Sequence, residues 1–227
     1  MNHCQPPRAV IRTPALKVPP LSCDCHAHVL GPPADYPYVA DRSYTPPDAS
    51  PSDYARMLGT LGLQRMVVVQ ASCYGEDNRR TIDAVNELGV HRARGVVMVG
   101  ASITESALQA MHDAGIRATR FITTAKGGPT LDQLNDVAAR VAPFGWAIEM
   151  YIPTSAWLDV LPIVEKLAVP VVFDHMGGMR RTRVMTIRCS GASSRCSKAA
   201  AAGRSSPVIA RRSRARRTPT SHRWHAT

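Results

Sequence analysis

Six short runs rich in branched apolar residues recur along this chain, at residues 21–29, 66–70, 95–99, 118–122, 147–152 and 169–174. Between them the apolar residues take helical spacing, as in Tyr54, Met57, Leu58 and Leu61, then Leu131, Leu134, Val137 and Val141, then Leu158, Leu161, Val164 and Leu167. After a long first connection the runs start every 22 to 29 residues, the pitch of right-handed strand–helix–strand units in a parallel sheet. Residues 67–69 and 169–173 are apolar without alternation, as strands covered on both faces must be. The pattern predicts an α/β fold, an incomplete TIM-type (β/α) barrel with six of the eight units that closure requires.

Three regions follow from this reading: an N-terminal extension over 1–20, a partial barrel over 21–179 and a basic tail over 180–227. The extension is broken by prolines and holds no apolar run long enough for a signal-peptide core. No stretch approaches a membrane span. The formal charge of +11 would suggest a polyanionic partner, but thirteen of the 28 basic residues lie in 180–227, where there is no Asp or Glu. The remaining 15 basic residues face 17 acidic ones, so the body is close to neutral. The tail has neither the strand nor the helix period, and its composition predicts disorder. Back-translated and read one nucleotide out of phase, its first half regains acidic residues and an apolar helical period, which makes a frameshift the expected origin. Six irregularly spaced cysteines in a chain without an export signal predict reduced thiols and a cytoplasmic protein.

Two motifs carry chemistry. Asp24-Cys25-His26-Ala27-His28 closes the first run, and alternation along a strand would set His26 and His28 on one side, converging on one atom. Two unrelated histidines at a strand end are the bland alternative. A closed zinc site using Cys23 and Cys25 lacks a second ligand pair. Phe173-Asp174-His175-Met176-Gly177-Gly178 closes the sixth run, where barrel enzymes keep catalytic groups and where glycines permit a tight turn. A capping or core histidine is the alternative there. Arg120 shares a strand with apolar neighbours, and a buried guanidinium needs an anion. A ligand carboxylate or Glu149 would supply it.

Together with YPYVADRSYTPPDAS, VVVQASCYGEDN and VPVVFDHMGGM, these motifs make residues 21–179 resemble the amidohydrolase superfamily, in the branch containing 2-pyrone-4,6-dicarboxylate lactonase. The resemblance implies a hydrolase that opens the lactone ring of a small carboxylated metabolite. It implies catalytic His26, His28 and His175 polarising the scissile carbonyl, and substrate contacts from Tyr44, Ser72, Arg120, Tyr151 and Lys126. Lys126 stands where the family has an arginine, which exchanges a two-pronged carboxylate grip for a point charge. A divalent zinc or manganese ion on His26, His28 and His175 is implied by most of the superfamily, and no metal by the lactonase branch. The superfamily's general base is an aspartate after the eighth strand, whereas the last acidic residue here is Asp174, so little turnover is expected of the printed chain.

A metal-dependent decarboxylase of the same superfamily is the second enzyme reading. The third is RNA binding through residues 204–227, where arginines cluster with His222, Trp224 and His225. No membrane partner is expected, and the oligomeric state is left open.

Overall fold

A computed structural model describes residues 2–123, 125, 128–178 and 209–210. Six parallel strands, β1 (Cys23–Ala27), β2 (Arg65–Val69), β3 (Ala93–Val97), β4 (Ile116–Ile122), β5 (Ala147–Tyr151) and β6 (Val171–Phe173), lie side by side in chain order. Helices α1 (Pro51–Leu61), α2 (Arg79–Leu88), α3 (Glu105–Asp113), α4 (Leu134–Val141) and α5 (Trp157–Val164) fill the connections. Strictly sequential order with every neighbour parallel curls the sheet into a half-barrel with flanking helices.

Local chemistry sets the element ends. Ser50 caps α1 by accepting from the Asp53 amide, and the Asp53 side chain answers the Ser50 amide, with Pro51 at the first helical position. Gly62 closes the same helix at φ 75°, a left-handed conformation that costs glycine little. The outward sides of the strands, with Met66, Val68, Val97, Phe121, Ile148 and Met150, form one buried core with the helices. Each such side chain withdrawn from water contributes about 1.5–3 kcal/mol before entropy is counted. The inward side carries a smaller apolar cluster of Val69, Val96 and Ala118, with Val67 and Ala147 against it.

The α5 face differs from the spacing-based expectation. Trp157 and Val160 are its buried residues, whereas Leu158 is 71% exposed. Trp157 packs edge-on against Phe173 at 4.6 Å and donates from Nε1 to the Gly177 carbonyl at 2.7 Å. The large indole thus turns the helix by one position against the leucine stripe. Pro162 removes the amide that would have bonded the Leu158 carbonyl, which suits that residue to the solvent side.

The tail over 180–227 lies outside the described residues apart from Ile209–Ala210, which pair antiparallel with β6. In the extension, Asn2–His3 pair parallel with Tyr44–Thr45. No helix among the described residues is long and apolar enough to cross a membrane.

Candidate active site

An irregularity in β1 aims the first motif. Asp24 pairs with Met66 and Ala27 with Val68, so three steps on β1 match two on β2. This is a bulge of one extra residue. Asp24 interacts with Tyr54 of α1 on the outward side, while its Oδ1 accepts from the His26 amide at 3.2 Å. His26, on the far side of the bulge, meets the groups inside the curl.

Those groups come from parallel strands that all end at one rim. Arg120 and Glu149 are register partners on β4 and β5, and Asp174 and His175 open the 3-10 turn that follows β6. Arg120 Nη2 donates to Asp174 Oδ2 at 2.7 Å and Nη1 to the Gln70 carbonyl at 2.8 Å. Its Nε lies 3.1 Å from Glu149 Oε1, yet neither atom has an aligned hydrogen-bond partner. All three charged residues are at most 4% exposed. One guanidinium cannot balance two carboxylates in so dry a place, so the pair divides a proton. Burial, and then the hydrogen bond with Asp174, raise the Glu149 pKa well above the carboxylate range. Burial also disfavours the charge on Asp174, but hydrogen bonds to His26 and Glu149 and the Arg120 charge outweigh it and hold that group low.

The histidines sit on this base. His26 Nδ1 lies 3.6 Å from Asp174 Oδ1 and 3.8 Å from Glu149 Oε1. Its ring is 5.3 Å from His28 and 5.2 Å from His175, and His175 meets Tyr151 edge-on at 5.0 Å. His28 Nδ1 is 2.8 Å from the Val69 carbonyl. A carbonyl only accepts, so Nδ1 carries the proton and Nε2 keeps its lone pair. Burial first, then the Arg120 and His26 charges, push the His28 pKa down to about 4 against that hydrogen bond. In the neutral ring Nε2 is an acceptor.

His175 has φ 49°, a left-handed conformation costing a non-glycine residue about 1 kcal/mol. The turn holds it there through Gly177, at φ 70°, whose added Cβ would lie 3.0 Å from the Trp157 ring. Donor atoms of His26, Asp174 and His175 all lie within 4.8 Å of one another. His26 Nε2 is buried without a partner. Two imidazoles and a carboxylate are donors that a zinc-like divalent ion takes, so the residues fit one, with Asp174 where the sequence pointed to His28.

The residues expected to contact substrate divide. Tyr151 adjoins His175 at the rim. Tyr44 and Ser72 share a hydrogen bond beside the Ala71, Cys73 and Tyr74 cluster, and burial, then Cys73, raise the Tyr44 pKa to about 12. Arg120 donates through two of its five N–H groups and forms an ion pair with Glu149 through Nε, as the sequence allowed. Lys126 lies outside the described residues. Two contributors went unread. Asp174 stands out in the sequence only as part of a motif, although its distance of two from Val172, the register partner of Glu149, puts it on the same inward row. Gln70 was read only as a strand end; it is fully buried, with Nε2 on the Gly75 and Asp77 carbonyls at 3.0 and 2.9 Å.

Comparison with known proteins adds a family. The profile described as Amidohydrolase matches residues 23–207. A 2-pyrone-4,6-dicarboxylate hydrolase from Comamonas testosteroni is 39% identical over 166 residues, 72% of this chain and 54% of the relative. A 4-sulfomuconolactone hydrolase from Rhizobium radiobacter is 32% identical over 177 residues, 77% of this chain and 59% of the relative. An apo crystal structure from Agrobacterium tumefaciens superposes with a TM-score of 0.70 at 28% identity, covering 76% of this chain and 61% of that one. The chain therefore spans a little over half the length of the curated relatives it matches.

Proposed function

Because this chain belongs to the amidohydrolase family, we propose that it carries the carbonyl-handling part of a hydrolase that opens the lactone ring of a small carboxylated metabolite resembling 2-pyrone-4,6-dicarboxylate. One observation supports this reading above the others: His26, Asp174 and His175 bring their donor atoms within 4.8 Å of one another. The names of two relatives, both hydrolases of carboxylated or sulfonated lactones, support the substrate class.

In the proposed reaction the lactone carbonyl enters the rim between His26 and His175. His175, the exposed member, donates to the carbonyl oxygen, and the His26 and His28 Nε2 lone pairs accept from the attacking water. Asp174 orients His26 through Nδ1 and is itself held by Arg120. Tyr151, Tyr44, Ser72 and Lys126 are the proposed contacts for the rest of the substrate, with Arg120 reaching a carboxylate only through its two unassigned N–H groups. A divalent ion on His26, Asp174 and His175 would supply Lewis-acid polarisation of the carbonyl. A reducing compartment, the cytoplasm, is proposed from the free thiols of Cys4, Cys23, Cys25 and Cys73.

The test follows loss of the pyrone chromophore together with acid release, for the protein and for His175→Asn, with and without a chelator. The expected result, for a chain without the late aspartate, is slow ring opening by the parent that falls by about 10²- to 10⁴-fold more in the variant. Equal rates in the two proteins, or no binding of the pyrone by the parent in calorimetry, would overturn the reading. Carbon dioxide in place of a ring-opened acid would assign the decarboxylase chemistry.

A further inference from the structure

Two thiols lie just ahead of the histidine pair and take no part in the proposed hydrolysis. Cys23 and Cys25 are two residues apart on β1, and their side chains interact. Cys25 Sγ folds back along the strand to within 3.7 Å of the carbonyl of Cys23, the residue whose thiol it interacts with. Cys25 is exposed and Cys23 half-buried. Strand β1 also ends the sheet, with β2 as its one neighbour among the described residues. A ligand can reach the pair from that open side.

Donor count decides what that ligand is. Among the described residues, no group of three close His, Cys, Asp or Glu donors includes either cysteine. A tetrahedral zinc ion would find half of its shell here. A soft d10 ion that accepts two collinear sulfurs would find all of it. Both sulfurs carry S–H groups that donate to backbone carbonyls, Cys23 to Asp24 at 3.4 Å and Cys25 to Cys23 at 3.7 Å, and a soft ion displaces such protons most readily. Arg65, the register partner of Cys23, offsets the charge that a bis-thiolate complex would gain.

We propose that Cys23 and Cys25 form a two-sulfur site for a soft monovalent cation of the copper(I) or silver(I) type. Binding replaces two S–H bonds by two sulfur–metal bonds and sends two protons to solvent. The complex carries one negative charge, and no electron moves.

The probe is silver nitrate in chloride-free buffer, with Cys4, Cys189 and Cys196 replaced by Ser and Cys73, which is fully buried, retained. Native mass spectrometry should give one silver ion per chain, and a weakly buffered titration two protons per ion. Cys25→Ser, at an exposed position that tolerates the change, should bind about 10²-fold more weakly, as loss of a second linked donor predicts, and release one proton. Circular dichroism of this variant and of Cys23→Ser separates lost ligation from lost fold. Two silver ions each releasing one proton, affinity in Cys25→Ser unchanged within about twofold, or zinc that binds as tightly as silver and is lost with Cys25→Ser would overturn the proposal. None of these readouts depends on lactone hydrolysis.

Discussion

Glu149 is a buried acid that keeps its proton beside an ionised neighbour, and this makes stability fall with pH. Its folded pKa is raised above the unfolded one, so between the two the folded state binds the extra proton and loses ground as pH rises, by up to about 1.4 kcal/mol per pH unit. Glu149→Gln keeps the shape and removes the titration. Urea unfolding should show the variant gaining on the parent between pH 5 and pH 8, and a constant difference would refute the proton assignment. Asp174 has the opposite sign: its pKa is lowered, and its contribution disappears as pH falls through the folded value. The histidines were legible in the sequence as two short motifs. The division of a proton between Glu149 and Asp174 was not, because it arises from register across β5 and β6 and from a shared guanidinium, neither of which a linear pattern encodes.

Caps and turns set the geometry at the scale of elements. Ser50→Ala removes a capping box and should destabilise by about 1 kcal/mol, read as a shifted denaturant midpoint with unchanged slope. Gly177→Ala places a Cβ 3.0 Å from the Trp157 ring at a positive φ, and should cost about 1–3 kcal/mol. Its further effect should be weaker ligand binding, because the same turn carries His175; binding by calorimetry unchanged from the parent would show that the turn does not position the site. All six strands stood out in the sequence to within about two residues, since buried parallel strands are apolar throughout. The α5 face was misread because leucine spacing was weighed and the single indole of Trp157, with its bond to Gly177, was not. The β1 bulge leaves no mark in composition at all.

For the molecule as a whole, Arg120 is the tie that matters most. From β4 it reaches the carbonyl after β2, the carboxyl on β5 and the aspartate after β6. Arg120→Met would leave Asp174 ionised without a counter-ion, and should destabilise by about 3–5 kcal/mol at neutral pH, with part of the loss recovered in the double variant that adds Asp174→Asn. Full additivity of the two changes would show that the groups are not coupled. Charge at this scale is partitioned, with a near-neutral body and thirteen basic residues in 180–227. Retention on heparin should therefore be salt-sensitive, and should vanish on truncation after Met179; a truncated chain that still binds would place the basic surface elsewhere.

That tie has a cost for adaptation. A lineage that altered the guanidinium to admit a differently charged guest would loosen four strands in the same step, so new specificity has to enter first through the rim, beside His175, while the central cation stays in place.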